Sequence, residues 1–172
     1  MNWQDYFEKG YIKGRYKNIE ELNIFDNFEF QHADTVNDHE IPFIAIQILK
    51  EIGTELLETV VRNLYDNVTL GRVSMWYGVD NKAKNWHNDL YDREVMGGDE
   101  PHYDACILLY LDNNNEDVGN SIQFRNKIDE FIEYPDKGDF VVINQSLQFE
   151  HKATHIPNTA RRLLCFDYNI EK

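Results

Sequence analysis

The chain has 172 residues, 42% hydrophobic and 13% aromatic, which suits a single domain with a substantial core and excludes a disordered chain. Its 31 acidic against 17 basic residues leave a formal net charge of -14, a field that repels phosphate and disfavours sequence-independent binding to DNA or RNA. No apolar stretch approaches the roughly 20 residues of a membrane span, and residues 1–10 lack the apolar core of a signal peptide. Cys106 and Cys165 stand far apart in apolar runs, with no Cys-x-x-Cys. They are expected to be reduced packing residues in a soluble, cytoplasmic protein.

Residues 1–45 are aromatic-rich and acidic without a clear period, although 27–32 alternate as a strand would. His32 and His39 lie here and read as surface or hydrogen-bonded histidines. Over 43–65, Ile44, Ile46, Ile48, Leu49, Ile52, Leu56, Leu57, Val60, Val61 and Leu64 recur at helical spacing, with Glu51, Glu55, Glu58 and Arg62 on the other face. The spacing predicts a scaffold helix packed on a sheet and weakened slightly by Gly53.

From residue 67 the pattern changes to short apolar or alternating runs. Strands are predicted at 70–77, 104–111, 120–124, 127–134, 139–144, 149–156 and 161–168, with turn signals between them. Many short strands at this spacing indicate a sandwich or barrel of the jelly-roll kind. No repeat, low-complexity tract or linker interrupts the chain. One domain over 1–172 is expected, with 1–66 a helical and mixed support and 67–172 the jelly-roll core.

Chemistry concentrates at Trp86-His87-Asn88-Asp89. In an extended segment alternate side chains share a face, so His87 and Asp89 point the same way. An imidazole and a carboxylate held together are two corners of a metal site. A second His would complete the 2-His-1-carboxylate face that suits non-heme Fe(II). His151 and His155 lie late in the chain. Arg161 opens the last strand, where a buried guanidinium is costly unless it meets an anion. A guanidinium grips a carboxylate through two parallel hydrogen bonds.

Taken in order, Tyr77, His87-Asn88-Asp89, Tyr110-Leu111-Asp112, Gly119-Asn120-Ser121-Ile122-Gln123-Phe124, Gly138-Asp139, His151 and Arg161 resemble the Fe(II)- and 2-oxoglutarate-dependent oxygenases, over about residues 70–168. The prolyl-hydroxylase-like branch is the nearest in flavour. The resemblance implies a mainly β fold, a double-stranded β-helix (cupin-like jelly roll) with supporting N-terminal α-helices. It implies that His87, Asp89 and His151 hold Fe(II), that Arg161 pairs with the far carboxylate of 2-oxoglutarate, and that Tyr110 and Tyr77 contact that co-substrate. O2 is the second co-substrate, and the branch admits ascorbate as a supporting reductant.

The chain departs from the family where Arg161-Arg162-Leu163-Leu164 stands in place of Arg-x-Ser. Arg162 is the alternative gripper, since a one-residue register shift would exchange the two. His102-Tyr103-Asp104 is a second His-x-Asp directly before a strand. The pattern upstream, with Tyr77 ten residues before His87, favours His87 and Asp89. His155 stands too close to Arg161 for the usual loop and strand. The resemblance implies an enzyme that hydroxylates a C–H bond of a peptidyl residue, proline included, or of a small molecule, with release of succinate and CO2. An acid at position 89 goes with hydroxylation, because halogenating members leave that place to a small residue. The contrasting expectation is a non-catalytic cupin-like binding or structural module.

Overall fold

The computed structural model describes residues 1–28, 43–78, 86–88, 104–113, 121–146, 148–154 and 161–171. Two antiparallel sheets carry the fold. The larger has the order β1 (Tyr11–Arg15), β6 (Asp139–Asn144), β3 (Ala105–Tyr110), β8 (Arg161–Ile170), β2 (Val68–Gly78); the smaller has β5 (Glu130–Glu133), β4 (Ser121–Arg125), β7 (Glu150–Thr154).

The central strands of the larger sheet are apolar almost throughout because both of its faces are covered. Ile107, Leu109, Val142, Leu164 and Phe166 point to one core. Cys106, Tyr110, Val141, Ile143, Leu163 and Cys165 point to another, which they share with Ile122 and Phe124 of the smaller sheet. The candidate site residues on β3 and β8 belong to this second face, between the sheets.

Helix α2 (Phe43–Thr59) closes the first core. Its Ala45, Leu49, Ile52 and Leu56 are buried, at the spacing of one helical face. Gly53, a weak point by propensity, is where the helix meets the sheet. A Cβ there would lie 2.9 Å from Phe166 and 3.0 Å from Leu70, and Tyr168 Oη donates to the Gly53 carbonyl at 3.0 Å. The helix stops at Thr59, short of the expected 65, and only a single 3-10 turn follows at Val61–Asn63. The run Thr59-Val60-Val61 is β-branched throughout, which crowds the preceding turn of a helix.

The N-terminal residues are more ordered than their pattern suggests. A short helix α1 (Trp3–Glu8) is capped by Asn2, whose side chain accepts from the Gln4 N–H. A 3-10 stretch covers Ile19–Asn27. Strand β1 was not anticipated. It joins the edge of the larger sheet from Tyr11↔Ile143 to Arg15↔Asp139, so that sheet draws on both 1–66 and 67–172. Tyr-Ile-Lys-Gly-Arg is short and carries Gly14, a weak strand signal on its own. The glycine is needed, because a Cβ there would meet the Phe140 ring at 2.3 Å. Most of the alternating run at 27–32, with His32 and His39, lies outside the described residues. Among the described residues no helix is long and apolar enough to cross a membrane.

Candidate metal centre and anion site

Residues 86–88 lie against β7 on the side away from β4. His87 and His151 form an antiparallel bridge in which each donates its N–H to the other's carbonyl, at 3.1 and 2.9 Å. Directly opposed residues of such a bridge present their side chains on one face. The two imidazole rings accordingly stand with centroids 4.4 Å apart. Two residues remote in sequence thus offer neighbouring ring nitrogens, the donor type that suits iron, zinc, copper or nickel.

The neighbours of His87 fix its place. Asn88 is buried and donates through Nδ2 to the Ser146 carbonyl at 2.8 Å and to the Phe149 carbonyl at 2.6 Å. The Arg125 guanidinium and the Lys152 ammonium each stand over the Trp86 ring, 4.5 Å from its centre. Such contacts contribute about 0.5–1 kcal/mol at exposed sites. Arg125 is itself paired with Glu150 at 2.6 Å.

Asn88→Leu removes two buried donors and is expected to cost about 2 kcal/mol of stability. It should also weaken Mn(II) binding about 10- to 100-fold, as loss of groups that orient a ligand does. Urea unfolding and a Mn(II) titration read the two effects. Unchanged metal affinity in a destabilised variant would reduce Asn88 to a loop staple.

Arg161 faces the space between the sheets. It is 8% exposed, and among the described residues no carboxylate pairs with it. Its Nη1 donates to the Ser121 carbonyl at 3.4 Å, a long bond for a charged donor. The guanidinium lies 5.8 Å from the centre of the Tyr110 ring. Tyr110 is 0% exposed, and among the described residues its hydroxyl has no hydrogen-bond partner. Burial lowers the Arg161 pKa, with Tyr110 opposing the shift. Burial pushes the Tyr110 phenol up to about 12, against the pull of the Arg161 charge, so at neutral pH it remains a hydrogen-bond donor. A guanidinium and a phenol buried side by side without an acceptor of full charge form a donor set addressed to an anion.

Arg162 is committed elsewhere. Its Nη2 bonds Asp112 at 2.7 Å and Asp26 at 2.9 Å, and its backbone N–H bonds Asp112 at 2.7 Å. The β2–β8 register pairs Arg161 with Gly78 and Arg162 with Tyr77. The anion site and the imidazole pair also have a measurable offset. On β4, Ser121, which Arg161 bonds, pairs with Thr154, while Phe124 pairs with His151. Three strand residues separate those levels, roughly 10 Å.

Asp89, His102 and His155 lie outside the described residues, as does the side chain of Tyr77. Asp104, of the rival motif, accepts the Ile170 N–H at 3.0 Å, at the opposite end of β8 from Arg161. Asn88 and Asp112 stand in the sequence motifs as members of His87-Asn88-Asp89 and Tyr110-Leu111-Asp112, without a role of their own; the structure gives each one.

No family model matches the chain, and no curated protein matches it in sequence. Solved structures do. A prolyl-4-hydroxylase from Pseudomonas putida is 12% identical, with 99% of this chain and 97% of that one covered and a TM-score of 0.63. HygX from Streptomyces hygroscopicus, solved with nickel and 2-oxoglutarate bound, is 12% identical over 97% of this chain and 84% of its own, at a TM-score of 0.69. SnoN, a non-heme α-ketoglutarate-dependent epimerase from nogalamycin biosynthesis, is 9% identical over 98% and 81%, at a TM-score of 0.73. At this identity the likeness establishes a shared fold, the antiparallel jelly roll of these proteins.

Proposed function

We propose that the chain is an Fe(II)- and 2-oxoglutarate-dependent dioxygenase that hydroxylates a C–H bond of a peptidyl residue, proline first among the candidates, or of a small molecule. The observation that carries this reading is Arg161 beside Tyr110, two buried donors with no carboxylate partner among the described residues, on the same pair of sheets as the adjacent rings of His87 and His151. The offset of roughly 10 Å between the two levels suits a five-carbon dicarboxylate with one end at the metal and the other at the guanidinium. The solved neighbours that bind metal and 2-oxoglutarate on this fold support the same class.

Each residue then has a proposed role. His87 and His151 would offer imidazole nitrogens to the metal and Asp89 the carboxylate, the donor set that suits non-heme Fe(II). Arg161 and Tyr110 hold the far carboxylate of 2-oxoglutarate, and Tyr77 is the further contact proposed for it. Apolar walls from Ile122, Phe124 and Leu163 keep water from the co-substrate and strengthen the charge pairing. Bound iron supplies the O2 chemistry, and the balance is one O2, one 2-oxoglutarate and one C–H bond giving succinate, CO2 and a hydroxyl group. Prolyl hydroxylase and epimerase share this fold, so the fold does not choose the substrate; the prolyl candidate comes from the Pseudomonas putida likeness.

Succinate release measured with Fe(II), 2-oxoglutarate, O2 and ascorbate, across proline-containing peptides and free amino acids, tests the reading. Turnover is expected to need metal and 2-oxoglutarate together, and 2-oxoglutarate should bind more tightly once Mn(II) is present. A protein that binds neither is a jelly-roll module without redox work.

A further inference from the structure

A second cluster of ligating side chains lies on the inner face of the larger sheet, apart from the imidazole pair. The register sets Arg72 of β2 opposite Asp167 of β8, and Cys106 of β3 opposite Asp167 from the other side. Cys165, two residues before Asp167, shares its face. The two sulfurs are 3.4 Å apart, Cys165 Sγ is 3.9 Å from Asp167 Oδ1, and the three ligand atoms all lie within 4.8 Å of one another. Cys106 and Asp167 are 4% exposed and Cys165 3%. The second carboxylate oxygen of Asp167, Oδ2, accepts from Arg72 Nε at 2.9 Å.

We propose that Cys106, Cys165 and Asp167 form a binding site for a thiophilic divalent cation of the zinc type. Two sulfurs about 2.3 Å from a tetrahedral zinc stand about 3.8 Å apart, and a sulfur and a carboxylate oxygen roughly 3.5 Å apart. The sulfur–sulfur and Cys165–Asp167 separations each lie about 0.4 Å from those edges, and the Cys106–Asp167 separation, within 4.8 Å, is the edge that a cation would draw in. Arg72, 2.9 Å from Asp167, and a divalent cation both offset the negative charge of two thiolates and a carboxylate. A buried set of this kind is tolerated only when neutralised and hydrogen-bonded. Arg72 takes one oxygen of Asp167 and leaves the other toward the sulfurs, the part that an outer partner plays for a ligating carboxylate. Thiolate ligands separate this site from the imidazole pair, since soft donors select zinc or cadmium over Fe(II). A cation here would clamp β3 to β8, the strands that carry Tyr110 and Arg161.

Co(II) is the probe, added anaerobically to the full chain kept reduced by a phosphine. A sulfur-to-cobalt charge-transfer band at one equivalent is expected, with proton release as the thiols deprotonate. The band should persist in His87→Ala, which separates it from the iron reading, and vanish in Cys106→Ser and Cys165→Ser. Arg72→Gln should weaken cobalt binding about 10- to 100-fold. Zn(II) should displace the cobalt and raise the unfolding temperature of the unaltered protein, a readout that holds even if a cysteine variant fails to fold. Reduced protein that takes up no cobalt overturns the assignment. So does cobalt bound without the sulfur band, or an air-formed disulfide between the two cysteines that resists the phosphine and blocks uptake.

Discussion

His151→Ala should abolish binding of Fe(II), or of Mn(II) in its place, and with it all 2-oxoglutarate turnover. The substitution spares the scaffold. His151 meets His87 through both backbone bonds, and alanine keeps its N–H and carbonyl, so the bridge and the β4–β7 ladder persist. What is lost is one of two ring donors, and the remaining imidazole with a carboxylate is a weak site for a divalent ion. Loss of a ligand should exceed the 10- to 100-fold that loss of an outer partner costs. A Mn(II) titration followed by paramagnetic resonance, beside a urea unfolding curve, separates loss of the metal from loss of the fold. His155→Ala should titrate like the unaltered protein. If the two variants exchange behaviour, the ligand lies four residues further on and the bridge between His87 and His151 is architectural.

The central strands of the larger sheet were legible because their two covered faces leave apolar runs, and β4 and β5 because more and less exposed positions alternate between turn residues. Strand β1 was not, because five residues with a glycine acquire strand character only from β6 beside them. Helix α2 ends six residues before the apolar period does, since Leu64 continues the helical period while the β-branched run before it breaks the backbone. At the site, motif order brought His87, His151 and Arg161 into view, but no residue spacing can show that His87 and His151 are bridge partners. Arg161 and Arg162 were alternatives in the sequence for a related reason. Which one faces inward depends on register, and Asp112, fifty positions away, occupies Arg162. Asn88 passed as the spacer of His-x-Asp because its two acceptors are carbonyls some sixty residues distant.

Arg161→Met should stabilise the protein while it destroys the grip on 2-oxoglutarate. The guanidinium is buried beside an unpartnered phenol, with one long bond to the Ser121 carbonyl and no carboxylate among the described residues. Replacing a buried charge with a methionine of similar volume contributes about 1–4 kcal/mol in comparable interiors. In a domain of this size each kcal/mol moves the unfolding midpoint about 2–4 °C. The bound state moves the other way. Leaving the far carboxylate in the cleft without its cation costs about 3–5 kcal/mol, a loss of about 100-fold or more in 2-oxoglutarate affinity. Mn(II) binding should hold, because the imidazole pair lies roughly 10 Å away along β4. Tyr110→Phe should show a milder form of the same trade. It removes one donor to a charged group, about 10- to 100-fold in affinity, and costs no stability because its hydroxyl bonds nothing in the free protein. Arg162→Met is the contrast: it breaks the Asp112 and Asp26 pairing, so stability should fall while 2-oxoglutarate affinity stays. Thermal unfolding and 2-oxoglutarate titrations on the three variants give opposite signs for an anion-gripping Arg161 and for a structural one, and a destabilised Arg161→Met with unaltered affinity would make it the latter.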